Sequence, residues 1–300
     1  RSRSSSISNS EMQPFLRRAL LFLLPMLVWF LAMALMNLRR IKENPHATPA
    51  RILATGDSHI GCDLDTTVYQ GLRNTALPAE PYLLSWWKIK HLSEWGRIDT
   101  LVLGFGPHNL SDLDHRRFKE HGWATDRLMM RMYPLVPVTE ALRAPMHRRT
   151  YFKTLFTQIC TWPRNDHHQY IGAYSGLHRT FTANADSALN RHFFDEQGHL
   201  APASPIAFNA LDSIIAFCTH ERIPLFLVST PVHETYRSRI PPAFSSLHDS
   251  LSNALRSRGV RVLHYSALFT GDSLFADADH LNAKGARLFT RTLKTEISAR

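Results

Sequence analysis

Twenty consecutive uncharged residues, Ala19 to Leu38 (ALLFLLPMLVWFLAMALMNL), stand between the arginine pairs Arg17-Arg18 and Arg39-Arg40. Once water is excluded, such a run must satisfy its backbone N–H and C=O groups internally, which makes it a helix. At 1.5 Å rise per residue the helix reaches about 30 Å, the thickness of the hydrocarbon core of a bilayer. Pro25 would bend or locally weaken it without preventing a span. A cleaved signal peptide is the rival reading, because Ala32-Met33-Ala34 has the small-x-small form of a cleavage site. The apolar run continues past that site to Met36, which favours a retained anchor over residues 19–38, in contact with a lipid bilayer. Residues 1–18 read as a polar basic tail opening on the low-complexity RSRSSSIS.

Charge does not orient the anchor. Arg1, Arg3, Arg17 and Arg18 precede it and Arg39, Arg40, Lys42 and Arg51 follow it, so the positive-inside rule gives nearly balanced votes. No later stretch is long and apolar enough for a second span. Residues 42–300 are therefore expected to form one soluble domain on one side of the membrane. With 44% hydrophobic residues, the chain has enough apolar surface for a substantial core. Its formal net charge of +10 is dispersed and accompanies no nucleic-acid-binding motif, so nucleic acid is not an expected partner. Cys62, Cys160 and Cys218 are scattered and have neither disulfide-framework nor zinc spacing.

Within the soluble part, ARILATG, TLVLGFG, IPLFLVST and VRVLHYS are four short apolar runs rich in Val, Ile and Leu, separated by helical patterns. They predict strands of a buried parallel sheet in an α/β sandwich with helices on both faces. Ser204 as N-cap and Pro205 in the first turn open a helix with Leu211, Ile214, Ile215 and Cys218 on one face. Leu247, Leu251 and Leu255 mark a second helix stopped by Gly259, and Phe289, Leu293 and Ile297 mark the last. Residues 111–200 break the rhythm. Rich in His, Arg, Pro and aromatic residues, they read as a long insertion of short helices and loops, a feature more often functional than idle. The Asn165–Tyr170 stretch NDHHQY suggests a metal, but with no third ligand at helical spacing its histidines are expected at the surface, and no metal or cofactor is expected.

Gly-Asp-Ser occurs twice, at Gly56-Asp57-Ser58 and at Gly271-Asp272-Ser273. Ser58 follows the strand candidate Arg51–Thr55 at a glycine turn and precedes a helix expected around Asp65–Leu72. In open parallel sheets that is where sites form. Ser273 has no helix directly behind it and reads as a loop feature. Asn109 follows the second strand candidate in the same way as Ser58, where its amide could donate to a developing oxyanion. His280 comes just before the last helix with Asp277 three residues earlier, a spacing that lets the carboxylate orient the imidazole. Ser58, His280 and Asp277 thus have the residue types of nucleophile, general base and orienting acid.

The order of these fragments resembles the SGNH hydrolase superfamily, the GDSL-type esterases and acetyltransferases. Gly56-Asp57-Ser58 resembles its nucleophile block, Gly106 and Asn109 loosely match its Gly-x-Asn-Asp oxyanion block, and Asp277 and His280 match its Asp-x-x-His block. Leu110 stands where the third block has Asp, one extra residue separates Gly106 from Asn109, and no clear glycine precedes Gly104. Gly71 or a backbone N–H near Ser85 would have to substitute. HLNAKGA and STPVHETY are similar to stretches of membrane-anchored polysaccharide O-acetylation and D-alanylation proteins, which would put His233 in the cleft.

The resemblance implies a flavodoxin-like three-layer fold and an inner-membrane anchor with a periplasmic or extracellular domain. It also implies a multispanning membrane-bound O-acyltransferase as partner, and acyl transfer through Ser58 to a cell-envelope polysaccharide. An esterase using the same residues, or a non-catalytic scaffold for the membrane partner, are the alternatives.

Overall fold

A computed structural model describes residues 9–43, 51–120 and 122–299, so the opening residues 1–8 of the expected tail lie outside the described part. Helix α1 (Asn9–Lys42) is longer than the apolar run: residues 9–18, expected as tail, are helical, and both Pro14 and Pro25 lie inside the helix. Gln13–Lys42 is long and apolar enough to cross a membrane, and by the same measure a signal sequence near an N-terminus would qualify.

The chain then runs through β1 (Ile52–Thr55), α2 (Ser58–Asp63), β2 (Leu72–Asn74), α3 (Tyr82–Trp95) and β3 (Thr100–Gly104). A region of short helices follows: α4 (Leu113–Arg116), α5 (Trp123–Met132), α6 (Val138–Ala141), α7 (Arg148–Phe156) and α8 (Ala185–Phe193). The remainder is α9 (Pro205–His220), β4 (Leu225–Ser229), α10 (Glu234–Arg237), α11 (Pro242–Ser257), β5 (Arg261–His264) and α12 (Ala283–Ser298).

All strand pairings are parallel, in the order β2-β1-β3-β4-β5. Four strands were expected and five are present among the described residues. The additional one, β2, is the three-residue Leu-Arg-Asn, and its position displaces the helix expected around Asp65–Leu72: the helix after Ser58 is α2, and the residues after it form turns. Because the sheet is covered on both faces, alternate residues of each strand serve different cores. Leu53, Leu101, Leu103, Leu225 and Leu227 pack with α3 and α9, while Ala54, Val102, Phe226 and Val228 pack with Phe289, Leu293 and Ile297 of α12. The expected faces of α9, including Leu211, Ile214, Ile215 and Cys218, are buried, and Ser204 caps the helix by accepting from Ala207 N. Gly259 ends the α11 unit at φ +81°, a left-handed conformation that glycine adopts without strain.

The chain leaves β1 toward β2 on one side and later fills β3, β4 and β5 on the other. The switch point therefore lies between the carboxyl ends of β1 and β3, where crevices form in such sheets.

The 111–200 region holds no strand among its described residues, only helices, turns and isolated bridges. Part of it packs on the second half of α1. Trp29 Nε1 donates to Thr161 O (3.0 Å), and Asn37 Nδ2 donates to Ile159 O and Trp162 O (both 2.8 Å). Trp162 meets Trp29 edge-on and Phe156 meets Phe30. His167 is buried here, contrary to the surface position expected for the NDHHQY histidines: its Nδ1 lies 2.6 Å from Tyr133 Oη and its Nε2 3.2 Å from Asn37 Oδ1. The reason is tertiary, since Asn37 comes from α1.

Candidate active site

Gly56 and Asp57 carry the chain from β1 into α2. Asp57 is the N-cap, its Oδ1 accepting from His59 N (3.0 Å), so Ser58 occupies the first helical position. The backbone N–H there has no intrahelical acceptor. Asp57 Oδ2 accepts from His108 Nε2 (2.7 Å) and Asn109 Nδ2 (2.6 Å), which ties the turn after β1 to the turn after β3. Burial alone would raise the Asp57 pKa, but the His108 and His59 imidazoles and the Asn109 amide outweigh it and hold the carboxyl far below its ordinary range.

His280 and Asp277 lie in the loop before α12. Asp277 Oδ1 accepts from His280 Nδ1 (2.9 Å) and from His280 N (2.9 Å), and His280 Nε2 lies 2.9 Å from Ser58 Oγ. The three side chains read from the sequence as nucleophile, base and orienting acid are therefore in continuous hydrogen-bond contact. Burial lowers the His280 pKa, yet the Asp277 bond and the Asp279 carboxylate prevail and raise it to about 9. For Asp277 burial opposes the charged form, and its bond and ion pair with His280 overcome that and hold its pKa low. Arg179, from the inserted region, also pairs with Asp277 Oδ2.

Asn109 has one amide hydrogen on Asp57, and its Oδ1 accepts from Gly106 N (2.7 Å). An oxyanion role would fall to the second hydrogen on Nδ2. Gly106 N–H is thereby engaged by Asn109, and the need for glycine is steric: a Cβ there would come within 2.7 Å of the His108 ring. His233 has both ring nitrogens engaged, Nδ1 with Thr235 Oγ1 (2.9 Å) and Nε2 with Asp272 Oδ1 (3.0 Å), so it fastens the second Gly-Asp-Ser loop. Ser273 is exposed in a short 3-10 turn, Asp272–Leu274. Neither substitute for the missing glycine reaches the site. Gly71 O accepts from Ile52 N at the opposite end of the sheet, and the Leu84 and Ser85 N–H groups both donate to Pro81 O in the first turn of α3.

Sequence reasoning missed a group of histidines around this triad. The His59 ring stacks on His108 with centroids 4.2 Å apart, and His108 stacks on His192 of α8 at 4.7 Å. His59 and His108 stand beside named site residues, which was a usable signal; His192 had none, because only folding brings the insertion over the site. Asp63, one turn beyond Ser58, accepts from Leu281 N (2.9 Å), and burial raises its pKa to about 8. Beneath the turn a buried Lys88–Glu80 ion pair holds the segment after β2, with Glu80 also accepting from Thr55 Oγ1 and Ser85 Oγ. A cavity of about 360 Å³ reaches Asp57 and His59 from behind and extends to Tyr236 and His248, without including Ser58 or His280.

No protein-family model and no curated protein sequence matches the chain. Solved structures similar to it are GDSL-like lipases, acylhydrolases and acetylesterases. A GDSL-like lipase from Bacteroides thetaiotaomicron aligns at 11% identity and TM-score 0.42, over 88% of this chain and 98% of that one. An aryl esterase from M. smegmatis aligns at 12% identity and TM-score 0.36, over 84% and 99%. Est24, a carbohydrate acetylesterase from Sinorhizobium meliloti, aligns at 10% identity and TM-score 0.36, over 84% and 99%.

Proposed function

We propose that the chain is a membrane-anchored serine acyl-transfer enzyme that passes an acyl group, of the acetyl class, to a hydroxyl of a cell-envelope polysaccharide. The observation that carries this reading is the Ser58–His280–Asp277 contact chain, 2.9 Å at each link. Ser58 Oγ attacks the acyl carbonyl while its proton passes to His280 Nε2. The carbonyl oxygen becomes an oxyanion facing the Ser58 N–H and the free Asn109 amide hydrogen. His280 returns the proton to the leaving group, which departs as the acyl–Ser58 ester forms. A sugar hydroxyl then attacks the ester, its proton goes to His280, and His280 reprotonates Ser58 Oγ.

Water in place of the sugar makes the same site an esterase. The placement proposed for the domain is the periplasmic or extracellular face of a bacterial inner membrane, with α1 in the lipid bilayer and a multispanning O-acyltransferase as acyl donor. This is supported by the apolar length of α1 and by the inserted region folded against both α1 and the triad.

Covalent labelling by a fluorophosphonate tests the nucleophile: the wild-type chain should label and Ser58→Ala should not. Full labelling of Ser58→Ala would end the proposal. Transfer and hydrolysis are then compared on an acetylated donor with and without an oligosaccharide acceptor. Acyl loss that ignores the acceptor makes the enzyme an esterase. A Ser58→Ala strain with normal glycan acetylation would instead favour a non-catalytic scaffold.

A further inference from the structure

His59 Nε2 and Asp279 Oδ2 are both fully buried and have no hydrogen-bond partner. Buried polar atoms left in this state cost about 1–3 kcal/mol each, so a native pair of them calls for an explanation. They face one another across 3.8 Å, and His192 Nε2 lies 3.8 Å from the same Asp279 oxygen. We propose that His59, His192 and Asp279 form a binding site for a divalent transition-metal ion of the zinc class, against the wall of the Ser58–His280 pair.

The donor set suits such an ion. Two imidazole nitrogens and one carboxylate oxygen leave a fourth position open, the usual arrangement of a non-structural zinc site. Ligand atoms of tetrahedral zinc stand about 3.3 Å apart, so each 3.8 Å separation from Asp279 Oδ2 must shorten by about half an ångström, with the two imidazoles drawing together around the ion. His192 is already oriented from outside the site, with its Nδ1 2.6 Å from Tyr236 Oη, the kind of contact that fixes the tautomer of a metal-bound imidazole.

His108 belongs to the same stack but its Nε2 is held by Asp57, so it is not counted as a ligand. Arg191 Nη2, 3.6 Å from Asp279 Oδ2, balances that carboxylate; its side chain is more than half exposed and can swing out as the ion enters. The ligands come from α2, α8 and the loop before α12, so an ion would pin the insertion onto the triad.

The test uses the full-length chain in detergent, stripped with a chelator and dialysed against Zn²⁺, with Co²⁺ as spectroscopic probe. One equivalent should bind, with Co²⁺ giving the intense visible bands of a four-coordinate site. Asp279→Asn and His192→Gln, each checked for fold by circular dichroism and thermal melting, should weaken binding at least about tenfold. Ser58→Ala should bind as wild type, which separates this site from the acyl-transfer reading. Absence of stoichiometric binding by the wild-type chain, or folded Asp279→Asn and His192→Gln variants that bind unchanged, would overturn the proposal.

Discussion

Ser58 Oγ and His280 Nε2 lie 2.9 Å apart although 222 residues separate them in the chain. The sheet makes this contact: β1 ends beside the switch point, and the loop before α12 returns there after β5. Asp63 links the two ends directly by accepting from Leu281 N, so the loop that carries His280 is registered on the helix that carries Ser58.

Asp277→Asn keeps the shape of the loop but presents His280 Nδ1 with an amide in place of an anion. The expected outcome is a fall in kcat of about 10⁴-fold with KM nearly unchanged. Ser273→Ala, in the exposed turn, should retain full fluorophosphonate labelling. Steady-state kinetics on an aryl acetate would check the first and gel labelling the second.

Because His280 must be neutral to take a proton and its pKa is raised to about 9, kcat/KM should climb with pH through the neutral range and level off near that value. Asp277→Asn should move the residual activity limb down toward the ordinary histidine value of about 6.5. The stability that the ion pair contributes has the matching sign: present in full between about pH 4 and 6.5, lost as pH rises through about 9, and lost on the acid side as Asp277 takes up its proton. A limb at or below pH 6.5 in the wild-type chain would contradict this assignment.

Asp63 is buried with its pKa raised to about 8, so the folded chain holds a proton there that the unfolded chain releases near pH 4. Stability should fall as pH rises from about 4 to about 8 and then level off. Asp63→Asn retains an acceptor for Leu281 N without the charge. Its melting temperature relative to wild type should therefore improve progressively across that window, read by calorimetry at several pH values.

Lys88 and Glu80 are both completely buried, and Lys88 Nζ also donates to Thr75 O (2.6 Å). Lys88→Met strands the Glu80 carboxylate, at an expected cost of about 3–5 kcal/mol and a drop in melting temperature of about 10 °C. Adding Glu80→Gln should recover a substantial part, because the uncompensated charge is gone. Urea melts of the single and double variants would measure the coupling.

The sequence made the parallel sheet readable through runs such as Leu101–Leu103 and Leu225–Val228, whose continuous apolarity follows from burial on both faces. It did not reveal β2, since three residues containing Arg73 and Asn74 carry no period, and the turn after Ser58 was consequently assigned the wrong helix. Ser58, Asp277 and His280 were legible because each sits next to a strand end or helix start with its own local signature. Arg179 and His192 were not, because nothing in their neighbours announces that α8 and the segment before it fold back over β1. His233, which the resemblance would put in the cleft, has its ring held by Thr235 and Asp272, and nothing in its neighbours announces the contact with Asp272.

The packing of Trp162 on Trp29 also bears on how the domain meets a membrane. Trp29 and Leu38 are nine residues apart, about 13 Å along a helix axis. A bilayer surrounding the whole of residues 19–38 would therefore reach past the point where the insertion touches α1, and its acyl chains would meet Phe156 and Trp162, both largely exposed. With α1 as the proposed anchor, the domain would sit on the membrane as a keel sits in water, at a draught set by side-chain packing instead of by the slack of a tether. An acceptor chain would have to approach the triad from a direction fixed relative to the lipid surface.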